Sequence, residues 1–376
     1  MLNPLLEILR CPITQRPLRQ MGAEQIRAIN ERVLVKTAYF RDGTAIELPM
    51  TEGVVTDDGS YGYVIQGGIA LMLEDSAIAL EARAKEEGQG RSQRNSVMDF
   101  YNEKGWKEVE EGVYEDAQFE DLRPVARDYV HLCHMRLTGY LTNGKYFIDV
   151  ASGPVQYPEY LEYSAKSEYR VCVDFSLRAL QEARKRMGEK GLYILGDITN
   201  LPIQSESMDG GVSLHTIYHV PKDKQLSAFE EVYRVLKPDA RAAVVYSWGK
   251  HSPMMRLVKT VWRLPRTLKR VVAKVIYRMI ARNKYRKIIA LEKQDKEESG
   301  TLYFDPFPYE WVVSELSPRM RWSLHVWRLP SIEEMRMCLP DNEAGKSILR
   351  FVYWLEDTFP RWAGRVGQYP IILLKK

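Results

Sequence analysis

The chain is poor in cysteine: its 376 residues hold four, Cys11, Cys133, Cys172 and Cys338, and these stand far apart. With no Cys-x-x-Cys pair, the spacing argues against a disulfide framework and against a thiolate zinc site. Reduced, mostly buried thiols are expected instead. Long apolar runs are missing as well. Nothing approaches the roughly 18 uninterrupted apolar residues of a membrane-crossing helix, and the first ten residues lack the basic start and apolar run of a secretory signal. These absences make the cytoplasm the expected compartment. Repeats and low-complexity tracts are also absent, whereas 45% hydrophobic and 28% charged residues are ordinary globular usage. The length favours two domains, or one large domain with an appendage.

Acidic residues are missing from one place in particular. Residues 250–290 hold thirteen Lys or Arg and no Asp or Glu, which leaves 41 basic against 50 acidic residues elsewhere. The body is acidic and one segment is strongly basic.

Residues 1–80 read as a first unit, a small α+β domain. A short helix is suggested by Leu5, Leu6 and Leu9, and strand-like stretches by residues 32–37 and 62–72. The polar run 81–95 reads as a linker. Residues 95–140 look helical, with aromatic anchors Phe100, Tyr101 and Trp106. The period then changes. Short apolar runs at 146–150, 170–173, 192–195, 211–214 and 242–246 alternate with helix-like stretches at 177–187 and 223–236. Strands and helices alternating at this length indicate βαβ units and a parallel sheet. Late strands at 322–327 and 369–374, with a helical stretch 331–362 between them, would complete seven strands.

Three of the strands end in acids. Tyr146-Phe-Ile-Asp-Val-Ala-Ser-Gly-Pro154 runs from an apolar strand through Asp149 into a turn of small residues, which the backbone needs where it passes close to a ligand. Arg170-Val-Cys-Val-Asp-Phe-Ser176 ends in Asp174, whose carboxylate can accept from both hydroxyls of a ribose. Leu192-Tyr-Ile-Leu-Gly-Asp-Ile198 ends in Asp197, where a carboxylate and the next backbone amide could read an adenine edge. Any one of these could be a turn former. All three in order define a nucleoside-shaped site at the carboxyl edge of one sheet. A dinucleotide cofactor fits poorly, because the full Gly-x-Gly-x-x-Gly turn that admits a pyrophosphate is absent and Pro154, Val155 and Gln156 stand in its place.

Residues 146–246 resemble the methyltransferase domain of the large class I family that includes ubiquinone and menaquinone biosynthesis enzymes. The resemblance rests also on Gly196-Asp-Ile-Thr-Asn-Leu-Pro202, Met208-Asp-Gly-Gly-Val-Ser-Leu-His215 and Glu230-Glu-Val-Tyr-Arg-Val-Leu-Lys-Pro238. It implies a Rossmann-like, seven-stranded, mostly parallel sheet with helices on both faces, and S-adenosylmethionine as cofactor. In that frame the loop of Asp149, Ala151, Ser152 and Gly153 would surround the methionine part. Asp174 with Phe175 would meet the ribose, Asp197 and Ile198 the adenine, and Leu214 and His215 the sulfonium. The family's loop usually carries three glycines; here Ala151, Gly153 and Val155 hold those positions, and Val155 would require a backbone without positive φ or an altered loop.

His215 and His219 follow a strand at the proposed site and are candidates for a base that takes a proton from a hydroxyl acceptor, with packing and helix capping as the plain alternative. Methyl transfer does not demand such a base, since the sulfonium is already a strong electrophile and alignment does most of the work. No metal is expected. Tyr218, Tyr246, Trp248, Tyr303, Phe304 and Tyr309 are candidates for the acceptor pocket, against the plainer reading that they are core.

In the basic insertion at about 250–300, Leu268, Val271, Val272, Val275, Ile276, Met279 and Ile280 recur at helical spacing between Lys and Arg residues. The helix 268–282 is open to three readings: a cover for the core, a peripheral membrane contact, or a lid attracting an anionic acceptor. Nucleic acid is not expected, for want of a stacking platform. At the N-terminus, Leu5-Leu-Glu-Ile-Leu-Arg-Cys-Pro-Ile-Thr-Gln-Arg-Pro-Leu18 and Tyr61-Gly-Tyr-Val-Ile-Gln-Gly-Gly-Ile-Ala-Leu-Met72 are similar to the small zinc-binding activator proteins that accompany several methyltransferases. Thr14 replaces the second cysteine of their early pair, so the zinc site is lost. The expected organisation is therefore an activator-like unit 1–80, a linker 81–95 and a methyltransferase domain 96–376. The expected activity is methylation of a small-molecule, glycan or lipid-linked acceptor, at oxygen, and the rival is a non-catalytic scaffold that docks through its basic helix.

Overall fold

The computed structural model describes residues 2–80, 108–110, 113–114, 120–121, 123–256 and 303–376. The linker 81–95 and the basic helix 268–282 lie outside the described residues.

The N-terminal unit comprises α1 (Leu2–Ile8), β1 (Leu18–Gln20), α2 (Ala23–Leu34), β2 (Glu52–Thr56), β3 (Tyr61–Gln66), β4 (Ile69–Leu71) and β5 (Ile78–Ala79). After a small hairpin of β6 (Glu108–Glu110) and β7 (Val113–Tyr114) come α3 (Arg127–Met135), β8 (Tyr146–Val150), α4 (Pro158–Glu162), β9 (Tyr169–Asp174), α5 (Leu177–Met187), β10 (Gly191–Leu195) and β11 (Met208–Leu214). The chain continues through α6 (Gln225–Val235), β12 (Leu236–Val245), α7 (Tyr309–Leu316), β13 (Trp322–Arg328), α8 (Ile332–Cys338), α9 (Glu343–Thr358), α10 (Pro360–Val366) and β14 (Tyr369–Lys375).

One large sheet takes the order β1-β2-β3-β4-β10-β9-β8-β11-β12-β14-β13. From β10 to β12 every pairing is parallel, and in the run from β10 to β13 only β14 goes against its neighbours, β12 and β13. These seven strands form the expected mostly parallel α/β sheet. Both faces are covered: Ile148 and Val150 pack into one buried cluster, Phe147 and Cys172 into another. That double burial explains why the strands read as continuous apolar runs. The strand order reverses between β8 and β11, and in an open α/β sheet the crevice at such a reversal is where ligands bind.

The N-terminal unit extends the same sheet. Its β4 pairs in parallel with β10 (Tyr193 with Ile69, Leu195 with Leu71). Leu5, Ile8 and Leu9 bury against Leu201, Ile203 and Val235, while Leu9 bridges to Ile203.

Several local expectations give way to the structure. Residues 32–37 are not a strand but the last residues of α2, to Leu34, and the turn after it, because Ile26, Ile29 and Val33 recur at helical spacing and Ile29 and Val33 are buried. Residues 62–72 split into the β3–β4 hairpin, turned by Gly67 and Gly68, both at positive φ. Within 95–140, which was read as helical, Glu108–Glu110 and Val113–Tyr114 pair as strands and only Arg127–Met135 is α-helix among the described residues. The stretch 331–362 breaks into three helices, with Pro340 between the first two and Pro360 opening the third. Three cysteines are buried and Cys338 is exposed. Cys11 lies 3.2 Å from the Tyr63 hydroxyl, and among the described residues no His, Cys, Asp and Glu cluster could hold a metal. No described helix is long and apolar enough to cross a membrane.

Candidate functional site

The loop after β8 is pulled back over its neighbour strand: Ala151 and Ser152 both donate their backbone N–H to the Val173 carbonyl, at 2.7 and 3.2 Å. Ala151, Gly153 and Val155 all sit at positive φ, 58°, 55° and 54°. The expectation for Val155 is thus overturned. The loop keeps the glycine-type backbone, and a fully buried valine is held in it at a cost of about 1–3 kcal/mol. What holds it is visible. Arg186 of α5 donates to the Val155 and Gln156 carbonyls, at 3.0 and 2.9 Å, and the Val155 side chain packs in the core.

Asp174 closes the loop from the next strand. One carboxylate oxygen accepts from Gly153 N–H and the other from Phe175 and Ser176 N–H, each at 2.8 Å. Burial pushes the group up to about 6, against the lowering effect of those three donors. Asp149, by contrast, points into the sheet interior. It accepts from both Nε and Nη2 of Arg170, at 3.1 and 2.5 Å, and neither side chain meets solvent. Asp197 is half-buried and accepts from the Thr199 N–H and hydroxyl, at 2.8 and 2.7 Å, while Ile198 beside it is buried.

The loop 196–204 after β10 is gripped by the N-terminal unit. Asn200 donates to the Pro12 carbonyl and to Glu74, at 2.9 and 2.8 Å, Arg10 N–H donates to the Pro202 carbonyl, and Gln204 N–H donates to the Ile8 carbonyl. Asp174, Asp197 and the Ala151–Gly153 turn therefore share the carboxyl edge of β8, β9 and β10, as the sequence motifs suggest. The donor set suits a nucleoside. Asp174 is a carboxylate with backbone donors and, among the described residues, no cationic partner, and half-buried Phe175 offers an aromatic edge.

On the other side of the strand reversal, Leu214 and His215 end β11. His215 is at φ 58°, its Nδ1 lies 3.2 Å from the Tyr218 hydroxyl, and its ring meets Trp327 edge-on at 4.5 Å. His219 donates from Nδ1 to the Tyr303 carbonyl at 2.7 Å, which leaves Nε2 as the acceptor on the neutral ring. Burial lowers His215 to about 3 and His219 to about 4. Both are neutral at physiological pH, and neither ring takes up a second proton near neutrality. Of the proposed pocket aromatics, Tyr246 and Trp248 are core: Tyr246 donates to Gln225 at 2.6 Å and Trp248 to the Gly364 carbonyl at 2.7 Å. Phe304 instead lies against Tyr218 and His219 and is exposed on its other side.

The sequence reading misses the group beyond His215. Trp327 and Arg328 of β13, Tyr369 of β14, His134 of α3, Tyr157 and Tyr160 around α4, and Glu120 converge there. His134 is 1% exposed, stacks on Tyr160 at 5.4 Å and on Trp327 at 5.3 Å, and meets Tyr157 edge-on at 5.1 Å. Arg328 pairs with Glu120 at 2.5 Å and lies over the Trp327 and Tyr369 rings. Burial would raise Glu120, but Arg328 and His134 outweigh it and hold it at about 2. These residues come from five separate segments, and only the aromatic pair in Tyr157-Pro-Glu-Tyr160 gives a local signal.

Residues 148–244 match the family model described as "Methyltransferase domain". No curated protein matches the chain. Solved structures with a similar fold include the complex of the Haloferax volcanii Trm112 methyltransferase activator with a methyltransferase (11% identity, 67% of this chain and 91% of that one, TM-score 0.39). Another is geranyl diphosphate C-methyltransferase from Streptomyces coelicolor A3(2) (12% identity, 75% and 97%, TM-score 0.41). A third is phosphoethanolamine N-methyltransferase 1 from Haemonchus contortus (14% identity, 75% and 48%, TM-score 0.42).

Proposed function

With a methyltransferase domain at residues 148–244 as premise, we propose that the chain is an enzyme that moves a methyl group from S-adenosylmethionine to a hydroxyl of a small-molecule, glycan or lipid-linked acceptor. The observation that carries this reading is Asp174, a buried carboxylate at the tip of β9 that is tied to the positive-φ loop and, among the described residues, has no cationic partner. Bound there, the cofactor supplies an electrophilic methyl group. The residues do the rest: Asp174 accepts from ribose hydroxyls, Asp197 and Ile198 border the adenine, and the turn Ala151–Gly153 lets the methionine part approach the backbone. Leu214 and His215 border the reacting centre and exclude water. Phe304 and Tyr218 flank the acceptor side.

Residues 1–80 act in this reading as a built-in activator-like unit for the domain 96–376, joined by the linker 81–95. The parallel β4–β10 pairing and the Asn200 contacts support that role. The charge pattern of 268–282 supports contact with an anionic acceptor or membrane surface.

Calorimetric titration of the purified chain with S-adenosylhomocysteine, beside an Asp174→Ala variant, tests the reading. Micromolar or tighter binding that the variant loses is expected. A well-folded wild type that does not bind would overturn it in favour of a non-catalytic scaffold.

A further inference from the structure

Where α9 runs into α10, the small side chains face the protein and the large ones face away from it. Ala363 and Gly364 are buried, and a methyl group at Gly364 would come within 2.3 Å of the His325 carbonyl of β13. An amphipathic helix that only covers a core does the reverse. Phe351, Trp354, Phe359 and Trp362 are 59, 55, 51 and 51% exposed, and Phe351 stacks on Trp354 at 5.6 Å. Single exposed apolar residues are ordinary, but four large aromatics between 351 and 362 mark a contact surface.

The charge beside these rings is positive. Glu356 is buried against Arg136 at 2.9 Å, which removes it from the outer face. Between 350 and 365 the exposed charges are Arg350, Arg361 and Arg365 against Asp357, three positive and one negative. The acid-free run 250–290, with its thirteen Lys or Arg, starts from the same helices. Ser252 donates to the Val366 carbonyl of α10 at 3.0 Å, and Met254 and Val352 both pack on Val326, Leu329 and Ala363.

We propose that the Phe351–Trp362 face docks on an anionic lipid bilayer. It is a second surface, made of described helices, beside the contact proposed for 268–282. Tryptophan suits a bilayer interface, where its ring lies among the headgroups and its N–H stays hydrated, and guanidinium groups next to it pair with lipid phosphates. The arginines are divided between α9 and α10, which matches a diffuse negative surface better than one discrete anion. On the methyltransferase reading, the surface favours a lipid-linked acceptor over a freely diffusing one. Docking itself does not rest on that reading.

Flotation of the full chain with phosphatidylcholine vesicles, with and without phosphatidylserine, tests the proposal. The wild type is expected to float with the anionic vesicles and far less with the neutral ones. Trp354→Ser combined with Trp362→Ser should weaken partitioning at least about tenfold. Arg350→Gln combined with Arg361→Gln should weaken it about fivefold per residue. Both double variants should melt within about 2 °C of wild type and keep its affinity for S-adenosylhomocysteine, because the four side chains lie on the surface and away from the cofactor edge. Full flotation of the tryptophan variant would assign the binding to the basic run alone and overturn the proposal. So would equal flotation with neutral vesicles, or no flotation of a wild type that instead forms a dimer or binds an oligonucleotide through these tryptophans. A wild type that floats but does not bind S-adenosylhomocysteine would sink the methyltransferase reading and leave the docking surface standing.

Discussion

Acidification should weaken cofactor binding through Asp174. Burial raises this carboxyl to about 6, some two units above its usual range, which corresponds to about 3 kcal/mol in favour of the neutral acid. At pH 7.5 the strand tip presents a carboxylate that accepts from ribose hydroxyls. At pH 5 roughly nine molecules in ten carry the proton. If only the charged form binds, Kd for S-adenosylhomocysteine rises about twofold at pH 6 and about tenfold at pH 5. His215 and His219, lowered to about 3 and 4, do not titrate in this window. Calorimetry between pH 5 and 8, repeated in buffers of different ionisation enthalpy, measures both the affinity and the proton released on binding. The same shift acts on folding. Because the folded value is raised, the favourable contribution is fully present below pH 4 and is lost as pH rises through 6, up to about 3 kcal/mol from this group. Asp174→Asn should lack both slopes. A flat Kd in the wild type from pH 5 to 7.5, or the same slope in the variant, would refute the reasoning.

Two further changes probe the loop and its support. Asp149→Asn leaves the fully buried Arg170 without its counter-charge and should cost about 3–5 kcal/mol, read as a melting point lower by several degrees; a melt within 1–2 °C of wild type, roughly what a neutral surface change gives, would exclude a structural role for the pair. Val155→Gly loses a buried side chain but relieves the positive φ, so it should cost about 1 kcal/mol. The same change at Val173, fully buried near the end of β9, should cost about 3 kcal/mol; equal melting points for the two variants would show that Val155 carries no strain.

The sheet was legible because its strands are buried on both faces and three of them carry an acid at or just past their carboxyl ends, so that 146–150, 170–173 and 192–195 each carried two signals. The ligand roles of those acids were less legible. Asp149 and Asp174 end neighbouring strands alike, yet one neutralises Arg170 inside the sheet and the other faces the crevice. Only the arginine near the start of β9, two residues before Cys172, the register partner of Asp149, separates them. The conformation of Val155 was misjudged because steric preference was weighed without the Arg186 clamp, which lies 31 residues away in the chain. The His134 cluster was invisible for the same reason: no local pattern joins Glu120, His134, Tyr160 and Arg328, and each taken singly is an unremarked polar or aromatic residue.

The position of the N-terminal unit follows from a problem that any such sheet has at its β10 edge. An unpaired edge strand offers its N–H and C=O groups to other chains, and here the loop after that strand also carries Asp197. β4 answers the first problem by pairing with Tyr193, Ile194 and Leu195. The second is answered by residues before β1 and beyond β4: Pro12 and Glu74 both hold Asn200, three residues past Asp197, while Met72 N–H donates to the Leu195 carbonyl at 2.8 Å. A segment added only to cap the edge would need no contact with 196–204. That this one reaches around the strand end to fix the loop ties the unit to the proposed adenine side of the site, and makes covalent attachment of the two parts advantageous: the loop is held at an effective concentration that a separate partner would have to match by binding.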